Sequence, residues 1–183
     1  MRIAVGVTGA SGAIYGVTLI KALYDLGAKV HVVFTDMGSK VLEYECGYTI
    51  ELIRQYAAVY DNADLFAPLA SGSFKMNAMV VVPCSMHTLG ALANASGRDL
   101  LTRAADVTLK EGRKLVVVPR ETPMTSIHLE NMLKLSRAGA VIMPAAPGFY
   151  HKPETIEDIV TFMSGKILDI LDIEHTLFKR WGS

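Results

Sequence analysis

Met1-Arg2-Ile3-Ala4-Val5-Gly6-Val7-Thr8-Gly9-Ala10-Ser11-Gly12-Ala13-Ile14-Tyr15-Gly16 decides the fold. An apolar strand over residues 3–7 runs into a turn of small residues and then into a helix over about 13–26, ending at Gly27. Such a junction aims unpaired backbone N–H groups and the positive end of a helix dipole at one point, where an anion can sit. The glycines let a ligand approach the backbone, and Ser11 adds a hydroxyl at the helix entrance, as an N-cap would. Taken alone, the turn predicts a phosphate-bearing small molecule, or else glycines that only pack a helix.

Outward from this turn, apolar runs alternate with helical patterns. Residues 30–34 form a second strand, followed by a helix from about Ser39. A long polar, irregular stretch runs through Asp61-Asn62-Ala63-Asp64 to Ala70-Ser71-Gly72-Ser73. Residues 78–82 read as a buried strand closed by Pro83, and helical stretches cover about 86–111. Strands at 115–118 and 141–143 are closed by Pro119 and Pro144, with a helix near 127–137 between them. From about Pro153 the tail is helical, with Ile156, Ile159, Val160 and Met163 on one apolar face. The expected fold is a single α/β domain over residues 1–183: a three-layer, mainly parallel open sheet with helices on both faces, Rossmann-like or flavodoxin-like.

Ligands in such sheets bind beyond the carboxyl ends of the strands. Five strand-end loops carry the small, polar and aromatic residues: 9–11, Thr35, 84–88, Arg120-Glu121 and 148–150. The first is not a P-loop, and Gly6, Gly9 and Gly12 give G-x-x-G-x-x-G rather than the dinucleotide fingerprint. Thr35 stands where a ribose-binding carboxylate belongs, so a mononucleotide such as FMN fits better than NAD. Ser85 suits a phosphate or flavin edge, but also a plain helix cap. Cys84 beside a buried strand reads as a small core residue. Arg120 can hold phosphate through its fork, with Glu121 as orienter or proton carrier, or the two form a surface pair. Arg103 and Lys110 share one helix face, while Glu45 and Lys166 read as ordinary helix charges.

The balance of the chain excludes several classes. Lys plus Arg equals Asp plus Glu at 18 each, so no electrostatic footprint for nucleic acid or an anionic membrane exists. Cys46 and Cys84 lack the spacing of a disulfide framework or zinc site. No apolar run approaches the roughly 20 residues of a membrane helix. Residue 1 opens directly on a strand with no signal-like segment, so a cytoplasmic location is expected. At 51% hydrophobic, the chain has apolar residues for a subunit interface or a doubly covered sheet.

Six segments in order and spacing make the resemblance specific: residues 6–13, Pro83-Cys84-Ser85-Met86-His87-Thr88-Leu89, Arg103-Ala104-Ala105-Asp106-Val107, Pro119-Arg120-Glu121-Thr122-Pro123, 128–133 and Pro144-Ala145-Ala146-Pro147-Gly148-Phe149-Tyr150-His151. Over essentially its whole length the chain resembles the UbiX-type flavin prenyltransferases. The resemblance implies transfer of the dimethylallyl group of dimethylallyl phosphate to N5 and C6 of reduced FMN, without metal. The prenylated FMN would serve a UbiD-type decarboxylase, and the assembly would be a homo-oligomer, typically a dodecamer. It further implies FMN contacts at Gly9, Ala10, Ser11, Thr35, Ser85, Met86, His87, Thr88 and Arg120. Tyr150 and Lys166, completed by Arg103, Lys110 and Glu121, would hold the prenyl phosphate, some of them from neighbouring subunits. Ser11, Glu45, Lys110 and Glu121 are the implied catalytic set. Leu65-Phe66 stand where some relatives carry a tryptophan, and Trp181 is the only one here. Competing readings are an FMN-dependent cysteinyl decarboxylase of the same fold and a non-catalytic flavin-binding subunit.

Overall fold

Six short apolar runs become six strands: β1 (Arg2–Val7), β2 (Lys29–Phe34), β3 (Ala58–Tyr60), β4 (Ala78–Cys84), β5 (Lys114–Pro119) and β6 (Val141–Ile142). In this computed structural model, which describes residues 1–182, they pair in the order β3-β2-β1-β4-β5-β6. Every pairing is parallel, so the expected α/β sheet is borne out in its stricter form. Side chains alternate across the pleat. Ile3, Val5, Val7, Val80 and Val82 face a layer made by α1 (Ala13–Asp25), α2 (Asp36–Cys46), the one-turn α3 (Ile50–Ile53) and α7 (Ile156–Ile170). Ala4, Met79, Val81, Leu115 and Val117 face α4 (Met86–Ala93), α5 (Leu100–Lys110) and α6 (Ser126–Arg137). Leu19, Ile20 and Leu23 of α1 are fully buried, each stabilising the fold by about 2 kcal/mol.

Several boundaries differ from the sequence reading, and β5 runs through Pro119, the residue expected to close it. The helix after β2 starts at Asp36 because the Thr35 hydroxyl accepts from Gly38 N at 3.0 Å and caps it there. The irregular stretch is preceded by β3, an edge strand of three half-exposed residues too short to show a period, and contains a 3₁₀ turn at Pro68–Ala70. The helical span 86–111 is two helices. Asp99 caps the second in a reciprocal box with Thr102, and Asn62 accepts from Leu100 N and Leu101 N. The strand at 78–82 continues through Pro83 to Cys84, because the missing N–H falls where the β4–β5 register breaks. In the tail, Val160, Met163 and Ile167 are buried, whereas Ile156 is 73% exposed and lies off the apolar face.

Candidate functional site

The strand order reverses direction between β1 and β4, which opens a crevice beyond Val7 and Cys84. Thr8, fully buried, stitches its two walls together: its hydroxyl donates to Pro83 O at 2.8 Å and accepts from Ser85 N at 2.8 Å. Ser85 then caps α4, accepting from Thr88 N at 3.3 Å while its hydroxyl donates to Thr88 Oγ1 at 3.1 Å. Met86 is half-buried and His87 exposed on that first turn, whereas Thr88 is buried with its hydroxyl turned to Ser85. On the other side Thr35 N donates to Val7 O at 3.0 Å. Two glycines allow the close approach. A Cβ at Gly9 would stand 2.5 Å from Met37 Cβ, and one at Gly38 would stand 2.4 Å from Val7 O.

Arg120 closes the crevice. Its N–H donates to Cys84 O at 3.2 Å, and its Nε reaches across to Ser11 O at 3.1 Å. Beside it, the Glu121 carboxylate accepts from Thr122 N at 3.0 Å. Gly9, Ala10, Ser11, Thr35, Ser85, Met86, His87 and Arg120 therefore lie in the loops around the β1/β4 switch point. Hydroxyls, helix N-termini and one guanidinium are the donors a phosphate-bearing planar ligand requires, so these residues fit a flavin mononucleotide.

The opening turn is corrected in one respect. Gly12, at φ 98°, is the N-cap of α1, and Ser11 does not cap it. The anion at this helix end is the chain's own Glu45, whose Oε2 accepts from Gly12 N at 2.8 Å and Ala13 N at 3.0 Å. Burial pushes the Glu45 carboxyl up, but hydrogen bonds from the Ser11 hydroxyl, Gly12 and Ala13, with the Arg120 charge, outweigh it and hold the group below the usual carboxylate range. Ser11, Glu45 and Arg120 thus form one network, in which a hydroxyl proton faces an ionised carboxylate. Cys84 is wholly buried and burial pushes its thiol far up, which leaves it inert as a nucleophile.

Not all expected residues meet at this crevice. The fifth loop packs against α7: Gly148 lies against Phe162, and Tyr150 sits with its ring 5.6 Å from Phe162 and 5.5 Å from Trp181. Lys166 lies farther along α7, its Nζ 3.5 Å from Asp169. Arg103 bonds Ala70 O and Asp106 and lines a hollow of about 210 Å³ between α4 and α5. Lys110 ends α5 beside Glu111, just before β5 begins, toward the amino ends of the strands and opposite the crevice. The helix-face reading that placed Arg103 and Lys110 together stands, but one chain does not bring them to Ser11. Leu65 and Phe66 are exposed, Phe66 completely, so they form no pocket wall within one chain. Sequence reasoning passed over Thr8, although a hydroxyl at the end of the first strand, just before the glycine turn, was its visible signal.

The flavoprotein family profile matches residues 1–180. A flavin prenyltransferase UbiX of Methanocaldococcus jannaschii is 50% identical over the full length of both chains. The crystal structure of AnUbiX (PadA1) in complex with FMN and dimethylallyl pyrophosphate superposes with a TM-score of 0.97 at 44% identity, covering 100% of this chain and 97% of the other. A dodecameric FMN-dependent UbiX-like decarboxylase from Escherichia coli O157:H7 also gives 0.97, at 43% identity with both chains fully covered.

Proposed function

The chain belongs to the flavoprotein family, in its UbiX flavin prenyltransferase branch, and from that membership we propose that it joins the dimethylallyl group of dimethylallyl phosphate to N5 and C6 of reduced FMN. The observation that carries this reading is the Ser11–Glu45–Arg120 network at the switch-point crevice. The product is prenylated FMN, supplied to a UbiD-type decarboxylase in the cytoplasm. Among the described residues no helix is long and apolar enough to cross a membrane.

Reduced FMN supplies the electron-rich nitrogen and carbon that take the allyl group. Arg120, Thr35, the residues 9–11 turn and the cap of α4 would hold it. Breaking the allylic C–O bond moves the electron pair onto the departing phosphate. Lys166 and the Tyr150 hydroxyl stabilise that charge, together with Arg103 and Lys110 supplied by other copies. Glu121 completes the polar pocket around the substrate's phosphate, and Ser11 with Glu45 carries the proton released at ring closure.

A shared site requires an oligomer, for which we propose the dodecamer. Exposed apolar residues support it: Ile127, Leu129 and Leu133 on α6, with Phe66 and Phe149 elsewhere. Anaerobic incubation with reduced FMN and dimethylallyl phosphate is expected to give a flavin heavier by one C5H8 unit. No adduct, with both ligands shown to bind, would overturn the assignment.

A further inference from the structure

Phe162, Lys166 and Asp169 stand at i, i+4 and i+7 on α7, so they share one face. The chain after the helix folds back along it. Gly165 permits the approach, since a Cβ there would lie 2.5 Å from the Phe178 ring and 2.8 Å from His175. Three basic side chains converge on the Asp169 carboxylate: Arg180 donates to Oδ1 at 2.8 Å, His175 Nε2 stands 3.1 Å from the same oxygen, and Lys166 lies 3.5 Å from Oδ2. Leu177 N donates to His175 Nδ1 at 3.1 Å, so Nε2 carries the ring proton toward Asp169. The His175 side chain is 1% exposed, which makes this a built clasp rather than a surface pairing.

The clasp reaches the substrate side through the aromatic rings. Phe178 packs on Phe162 at 4.8 Å, His151 stacks on Phe162 at 4.6 Å, and Trp181 meets the Tyr150 ring edge-on at 5.5 Å. Tyr150, Arg180 and Trp181 line one hollow of about 290 Å³ with Lys152 and Lys179. We infer that Asp169 is a positioning residue of the prenyl-phosphate site: by clasping residues 175–181 against α7, it fixes the Lys166 ammonium and the Tyr150 hydroxyl where the substrate's phosphate is held. The inference rests on the assignment of Lys166 and Tyr150 to that phosphate.

A purely electrostatic role for Asp169 has the opposite sign. A carboxylate 3.5 Å from Lys166 competes with an anionic substrate, so removing it would strengthen phosphate binding. A positioning role weakens binding on removal. The test measures KM for dimethylallyl phosphate, kcat and FMN affinity in the assembled protein for Lys166→Ala, Asp169→Asn, Asp169→Glu and Trp181→Ala. Asp169→Asn is expected to raise KM by about tenfold, as for one misplaced charge-assisted contact, with FMN affinity unchanged and Asp169→Glu restoring most of the loss. A KM that falls or stays level in Asp169→Asn, while Lys166→Ala raises it, overturns the inference and leaves the function intact. An unchanged KM in Lys166→Ala removes the phosphate assignment and the inference with it. Should Asp169→Asn not fold, Trp181→Ala decides: Trp181 is 81% exposed, so the fold does not depend on it, and an unchanged KM there overturns the inference.

Discussion

Replacing Thr8 by valine keeps the shape of the side chain and removes the one hydroxyl that joins the two walls of the crevice. Two bonds of 2.8 Å are lost, one to Pro83 O and one from Ser85 N. Pro83 O keeps a 3.3 Å bond from Thr8 N, whereas Ser85 N is left as an unpaired donor in a partly buried place. At a net ~1 kcal/mol for each bond, with an added penalty for the orphaned donor, the loss is about 3 kcal/mol. For a chain of this size that lowers the thermal midpoint by about 10 °C. The Ser85 cap shifts with its anchor, so FMN binding weakens by about tenfold. Thr8→Ser keeps the hydroxyl and is the control. Calorimetry and flavin fluorescence titration, at matched protein concentration because assembly contributes to stability, check both numbers. A midpoint within about 2 °C of wild type, with unchanged FMN affinity, would refute the view that Thr8 sets the crevice.

Three further outcomes follow from the site. Glu45 has a folded-state value held below that of the unfolded chain, so its contribution is full above about pH 4.3 and disappears as pH falls through the folded value. The midpoint gap between wild type and Glu45→Gln should therefore be widest at neutral pH and close in acid, and a gap that grows in acid contradicts the network. Lys110→Ala and Glu121→Gln should each abolish adduct formation while leaving FMN bound. Mixed oligomers of the two should regain about a quarter of the wild-type rate if each site joins two copies, and none if one chain forms the whole site.

Local signals made much of this legible. The residues 3–16 junction, the buried apolar runs and the Ser85 cap each act within a few residues, where sequence and backbone geometry are tightly coupled. The edge strand β3 escaped because three residues carry no period and its pairing partner, β2, is remote in sequence. The Ser11 reading shows the same limit. A serine beside a helix start looks like a cap, but a carboxylate 33 residues after Gly12 had already taken the backbone donors.

The sequence by itself determined the layered α/β class, the crevice-forming loops and the chemistry of their side chains, because period, cap and turn are local properties. Tertiary structure decided which of those side chains meet. It brought Glu45 to Ser11 and Arg120 across the switch point, clasped the tail to Asp169, and set Lys110 toward the amino ends of the strands. Those outcomes depend on strand order and helix direction, which fix distances between residues that no local pattern relates.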